Sequence, residues 1–122
     1  MTRKVLIVDD EPNIVVALEY LMQQSGFDVR TARNGDEALA AAGEFRPDLV
    51  LLDVMMPAMN GYQVAQKLRD LPDLQRVKIV MLTAKGRETE VSKGIALGAD
   101  AYVTKPFSTV DLVAEIKRLL ES

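Results

Sequence analysis

Three aspartates, a threonine and a lysine stand where apolar runs of this chain give out. VLIV is followed by Asp9 and Asp10, LVLL by Asp53, IVML by Thr83, and AYVT by Lys105 and Pro106. Carboxylate, hydroxyl and ammonium are the groups that hold a divalent cation and a phosphoryl group. If the four runs are parallel strands, all five side chains converge on one rim of a sheet, where open α/β folds take their ligands. Carboxylates gathered there repel, each pair about 4 Å apart costing on the order of 4 kcal/mol at an effective dielectric near 20. Lys105 neutralises one charge and not three, so the cluster calls for a divalent cation. All-oxygen ligation completed by water suits Mg²⁺, with Mn²⁺ as a substitute. A carboxylate beside such an ion, with an ammonium and a hydroxyl opposite, is equipped for phosphoryl transfer, where positioning and charge neutralisation do most of the work. The carboxylate can itself be the nucleophile and form an acyl phosphate. Asp53 suits that role because it stands alone after its apolar run, whereas the Asp9–Asp10 pair suits metal holding.

Taken singly, each residue has a plainer reading. Asp10 can cap a helix, with Asp9 its solvated neighbour, and Asp53 and Thr83 can simply end strands. Lys105 before proline can be a solvated loop residue, and Tyr102 a core residue whose hydroxyl reaches the surface. Met55, Met56 and Met59 read as loop packing. The plainer readings lose because all of them would have to coincide.

The elements that must position these groups alternate strictly. Val5 to Val8 is a continuous aliphatic run, expected of a strand buried on both faces, and Glu11 to Ser25 carries Ile14, Leu18, Leu21 and Met22 at helical spacing. Asp10 is the expected cap of that helix, Pro12 fits its first turn, and Gly26 ends it. Phe27, Val29 and Thr31 alternate with Asp28 and Arg30, which predicts a half-exposed strand at a sheet edge. A helix follows over about 35–43, then a turn at Pro47 and the apolar strand Leu49 to Leu52. Pro57 to Gly61 breaks the chain before a helix built on Val64, Leu68 and Leu71. The fourth strand is Lys78 to Thr83. The fourth helix, roughly 88–97, has a thin apolar stripe and an interior Gly94 that costs about 1 kcal/mol relative to alanine, so it is expected to be the loosest. Gly98 stops it, Asp100 to Thr104 forms the last strand, and Ser108 caps a closing helix through Leu112, Val113, Ile116, Leu119 and Leu120. Five βα units with short loops predict an α/β fold: a five-stranded parallel sheet of flavodoxin-like (βα)5 type, with helices on both faces.

Composition bounds the rest. At 122 residues, 48% hydrophobic and 27% charged, the chain fits one domain over 1–122. It has no cysteine and no histidine, which excludes disulfides, thiolate nucleophiles, the usual zinc sites and histidine base chemistry. A formal charge of −3 and the lack of a basic stripe argue against direct nucleic-acid binding. The first apolar run is too short for a signal peptide, and no stretch approaches a membrane span, so a cytoplasmic location is expected.

At this point the chain resembles a known family, the receiver domains of bacterial two-component response regulators. VLIVDDE, LVLLDVMMPAMNGY, IVMLTA and AYVTKPF occur in the family's order and with family-like spacing, across nearly the whole length. The resemblance implies the strand order 2-1-3-4-5 and a phosphorelay function. Asp53 would accept a phosphoryl group from a phosphohistidine on a sensor histidine kinase or a phosphotransfer protein. Asp10 would ligate Mg²⁺ directly and Asp9 mainly through water, with Asp53 and the Met55 backbone carbonyl as further ligands. Thr83, the Ala84 backbone N–H and Lys105 would bind phosphoryl oxygens, and the Lys105–Pro106 bond is usually cis in the family. Tyr102 matches the switch aromatic that turns inward when Thr83 moves, repacking the surface of the fourth helix, fifth strand and fifth helix. That surface would signal to a downstream protein or to an output domain outside this sequence. The resemblance makes this a phosphoacceptor that assists its own phosphorylation and dephosphorylation, not an enzyme with a separate turnover substrate.

Three other readings share the fold. A mononucleotide binder needs a glycine- or hydroxyl-rich phosphate loop, and here the first loop is acidic. An aspartate-nucleophile phosphatase places an acid two residues after the nucleophile, where this chain has Met55. A phosphorylation-independent adaptor is the alternative, although such proteins commonly lose a site residue. Dimers in the family use a basic residue midway along the last helix. Glu115 stands near that place, with Lys117 and Arg118 following, so a phosphorylation-dependent homodimer rests on the resemblance alone.

Overall fold

Val5 to Val8 and Leu49 to Leu52 are aliphatic runs of strand length set between polar residues, and both are fully buried. They form the central strands of the computed structural model, which describes residues 2–84 and 99–121. In chain order the elements are β1 (Lys4–Val8), α1 (Pro12–Gln24), β2 (Asp28–Ala32), α2 (Gly35–Phe45), β3 (Leu49–Asp53), α3 (Gly61–Arg69), β4 (Lys78–Ala84), β5 (Ala101–Lys105) and a closing helix (Thr109–Glu121). The helix expected near 88–97, with its stop at Gly98, lies outside the described residues. The strands make one parallel sheet in the order β2-β1-β3-β4-β5.

Alternation along the central strands divides the core in two. Leu6, Val8, Val50, Leu52, Ile79 and Met81 face α2 and α3, packing on Ala38, Ala42, Val64 and Leu68. Val5, Ile7, Leu49, Leu51, Val80 and Leu82 face α1 and the closing helix, packing on Leu18, Met22, Leu112 and Ile116. Each such aliphatic side chain contributes about 2 kcal/mol on burial. β2 lies at the sheet edge, with its outer residues exposed and only Ala32 buried, as its alternating polarity predicts.

The element ends differ from expectation in ways that bear on the site. Asp10 does not cap α1: the cap position is Glu11, without a side-chain bond, and Pro12 takes the first helical position. The turn is closed instead by Asp9, whose Oδ1 accepts the Glu11 N–H at 3.0 Å, a bond to the backbone two residues on. α2 runs past Gly43 to Phe45, because Phe45 is buried, and stops at Arg46 in the left-handed conformation (φ 53). α3 ends at Arg69, so Leu71 falls outside it. β5 starts one residue late, at Ala101, and reaches Lys105. Ser108 receives the Asp111 N–H at 3.3 Å at the start of the closing helix.

Candidate functional site

In a parallel sheet the carboxyl ends of all strands share one rim, and the order here sets β1 beside β3 and β3 beside β4. β1 delivers Asp9 and Asp10 just past Val8, and β3 ends on Asp53 itself. Oxygen atoms of Asp9, Asp10 and Asp53 all lie within 4.8 Å of one another. Asp9 is fully buried and Asp53 nearly so, whereas Asp10 is exposed. The correction at α1 matters at this point. Asp9 is the residue tied to the backbone, which leaves the exposed carboxylate of Asp10 facing the cluster rather than the helix end.

Lys105 reaches in from the end of β5. Its Nζ donates to Asp9 Oδ2 at 3.0 Å and stands 3.4 Å from Asp53 Oδ1. Burial pulls the ammonium down, but the bond to Asp9 and the charges of Asp53 and Asp9 outweigh it and hold Lys105 above its ordinary value. The peptide joining Lys105 to Pro106 is cis. Asp53 Oδ1 also accepts the Met55 N–H at 3.3 Å. These bonds do not offset the environment: burial, reinforced by the Asp9 charge, pushes the Asp53 carboxyl from 3.8 up to about 6. A site that holds three carboxylates against such a cost fits a hard dication with oxygen ligands, which opposes both causes at once.

Asp53 pairs in register with Leu82, so Thr83 lies one step nearer the rim on the neighbouring strand, buried and paired with Thr104. Ala84 ends β4 opposite Lys105. Tyr102 sits farther in, opposite Met81, and its hydroxyl is buried rather than at the surface, contrary to the plainer expectation. Burial and the neighbouring phenol of Tyr62 push it up to about 12.

Two contributors escaped the sequence reading. Gly61, read as part of a chain break, is the first residue of α3, and it donates its N–H to Val54 O at 2.9 Å. A Cβ on it would meet the Asp53 carbonyl oxygen at 2.4 Å, so its absence lets α3 dock directly on the end of β3. Arg69 binds the Val77 carbonyl, the Gln75 carbonyl at 3.1 Å and Asp100 Oδ2 at 3.1 Å, and the same Asp100 oxygen accepts the Ile79 N–H at 2.7 Å. That network fastens α3 to the starts of β4 and β5. A glycine opening a helix is a weak sequence signal, and a pair 31 residues apart gives none.

Comparison with known proteins follows the same lines. A family model described as the response regulator receiver domain matches residues 5–117. The phosphate regulon transcriptional regulatory protein PhoB of Rhizobium meliloti is 44% identical over 120 residues, which cover 98% of this chain and 53% of that protein. The chain spans about half the length of the curated relatives it matches. The structure of chemotaxis protein CheY4 of Vibrio cholerae is 34% identical with a TM-score of 0.93, covering 98% of this chain and 99% of that one. The receiver domain of a Pseudomonas aeruginosa sensor histidine kinase is 26% identical with a TM-score of 0.91, over 100% of both chains. That structure has a magnesium ion coordinated in its active site cleft. No helix among the described residues is long and apolar enough to cross a membrane.

Proposed function

The chain belongs to the response regulator receiver family, and from that premise we propose that Asp53 is the residue phosphorylated, within a receiver unit formed by residues 1–122. A receiver of this family is a phosphoacceptor signalling domain rather than a turnover enzyme, and it works with histidine kinases and output domains. The observation that carries the residue assignment is the meeting of the Asp9, Asp10 and Asp53 oxygens within 4.8 Å, beside the Lys105 ammonium.

In this reading an Asp53 oxygen attacks phosphorus in line with the P–N bond of a phosphohistidine. The O–P bond forms as the P–N bond breaks, and the electron pair returns to the imidazole. Asp10, Asp53 and the Met55 carbonyl would hold Mg²⁺, with Asp9 acting mainly through water and Mn²⁺ as the substitute. Bound there, the ion supplies two positive charges to the carboxylates and to the incoming phosphoryl oxygens. Lys105, whose Nζ stands 3.4 Å from Asp53 Oδ1, pairs with one phosphoryl oxygen, while Thr83 and the Ala84 N–H take others. Tyr102 and the surface of β5 and the closing helix, with the helix expected over 88–97, pass the change to a downstream protein or output domain. A homodimer through that surface would have to accommodate Glu115.

The test is phosphorylation by acetyl phosphate with Mg²⁺, read by intact mass and by lability to hydroxylamine. The wild-type chain gains one phosphoryl group and Asp53→Asn gains none while keeping its fold. Labelling of Asp53→Asn at the wild-type rate moves the phosphoacceptor elsewhere.

A further inference from the structure

The loop joining β3 to α3 contains a turn that does not hold itself. Met59 donates its N–H to the Pro57 carbonyl at 2.7 Å, across Ala58 at φ 67. A bond over two residues with positive φ at its centre is the rare and strained form of the γ-turn. Such a conformation persists only where the surroundings over-determine it. Met56 is one anchor, buried in the core that faces α2 and α3. Met59 is the other, and its side chain rests on Gly35, the first residue of α2.

A larger residue at Gly35 would meet the Met59 side chain, which would have to give way. A Cβ on Gly35 would stand 2.6 Å from Met59 Sδ, 3.0 Å from its Cβ and 3.1 Å from its Cγ. Gly35 does not have the positive φ that would demand glycine on conformational grounds; among the described residues Gly26 does. Space at Gly35 is therefore set by Met59. Gly43, in the same helix, would place a Cβ within 4 Å of nothing.

We infer that Met59, seated on the bare Cα of Gly35, is a positioning contact that holds the strained turn and, through it, the aim of the Met55 carbonyl toward the metal. The inference deepens the proposed reading and rests on Met55 as a metal ligand. Gly35 and Met59 touch no ligand themselves and act by fixing the loop that carries one, as outer supports of metal sites do.

The test is titration with magnesium chloride at constant ionic strength, followed by amide shifts, alongside thermal melts without the metal. Wild type saturates and Asp10→Ala does not. Gly35→Ala pushes the loop and Met59→Ala releases it, and each weakens Mg²⁺ binding about tenfold. The double variant Gly35→Ala with Met59→Ala loses less than the two single losses combined, because both act through one contact. Gly43→Ala binds as wild type does. A merely structural role lowers the melting temperature and leaves the dissociation constant alone. Wild-type affinity in folded Gly35→Ala and Met59→Ala overturns the inference while leaving the metal site standing. Should Gly35→Ala fail to fold, Met59→Ala decides alone. Absence of saturable binding by wild type defeats the metal reading, and this inference with it.

Discussion

In the role proposed for it Asp53 has to be ionised to attack phosphorus, in a place that disfavours its ionisation. Its carboxyl is pushed from 3.8 up to about 6 by burial first and by Asp9 second. A folded-state value above the unfolded one means that the folded chain binds the proton more tightly. The associated stability is fully present below about pH 4 and is lost as pH rises through about 6. That difference corresponds to at most roughly 3 kcal/mol. Asp53→Asn has no proton to lose. Without Mg²⁺, its stability advantage over wild type should grow from near zero at about pH 4 to as much as roughly 3 kcal/mol at neutral pH. Urea unfolding of the two chains across that range measures it, and an advantage that does not change with pH contradicts the assignment of cause. Lys105 is the counterpart. It bonds Asp9, which is fully buried, so Lys105→Met strands a carboxylate in the core and should cost about 3–5 kcal/mol at neutral pH.

Elements set how finely the site is held, and α3 shows it. Its first residue lies so near the end of β3 that a methyl at Gly61 would collide with the Asp53 carbonyl oxygen at 2.4 Å and the Val54 Cα at 2.9 Å. Both are backbone atoms and cannot swing aside as a side chain can. Gly61→Ala should therefore destabilise by about 1–3 kcal/mol and slow acetyl phosphate labelling, because the strand end that moves carries Asp53, the proposed phosphoacceptor. Unfolding midpoints and labelling rates together check it, and an unchanged labelling rate separates packing from positioning. The strands at this level were legible, since Val5 to Val8 and Leu49 to Leu52 are aliphatic runs of strand length that each end at an aspartate. The cap of α1 was not. Asp10 has the right residue type but stands two places before Pro12, the first helical residue, and Asp9 took the backbone bond. Gly43 misled in the same manner: it looked like a helix end, but burial of Phe45 carries α2 through it.

At the scale of the whole molecule the topology does most of the gathering. The order β2-β1-β3-β4-β5 doubles back at β1, so the chain returns to the centre of the sheet and the ends of β1 and β3 become neighbours. Strict alternation of strands and helices made the parallel sheet readable, and with it one shared rim, whereas the order that sets β1 beside β3 came from the resemblance to the receiver family. What stayed hidden were the fastenings between distant segments. Arg69 with Asp100 and Met59 with Gly35 depend on side-chain reach in three dimensions, which no periodicity encodes. The assembled rim concentrates negative charge on a chain already at −3, and a dication bound there must stabilise the fold by linkage. At ten times its dissociation constant the gain is about 1.4 kcal/mol. Mg²⁺ should raise the melting temperature at neutral pH beyond what sodium chloride of equal ionic strength does. The increment should shrink at about pH 4.5, where protonated Asp53 withdraws one ligand charge, and vanish in Asp10→Ala. A parallel rise in Asp10→Ala would place the stabilising ion outside the aspartate cluster, because general screening is already removed by the salt control.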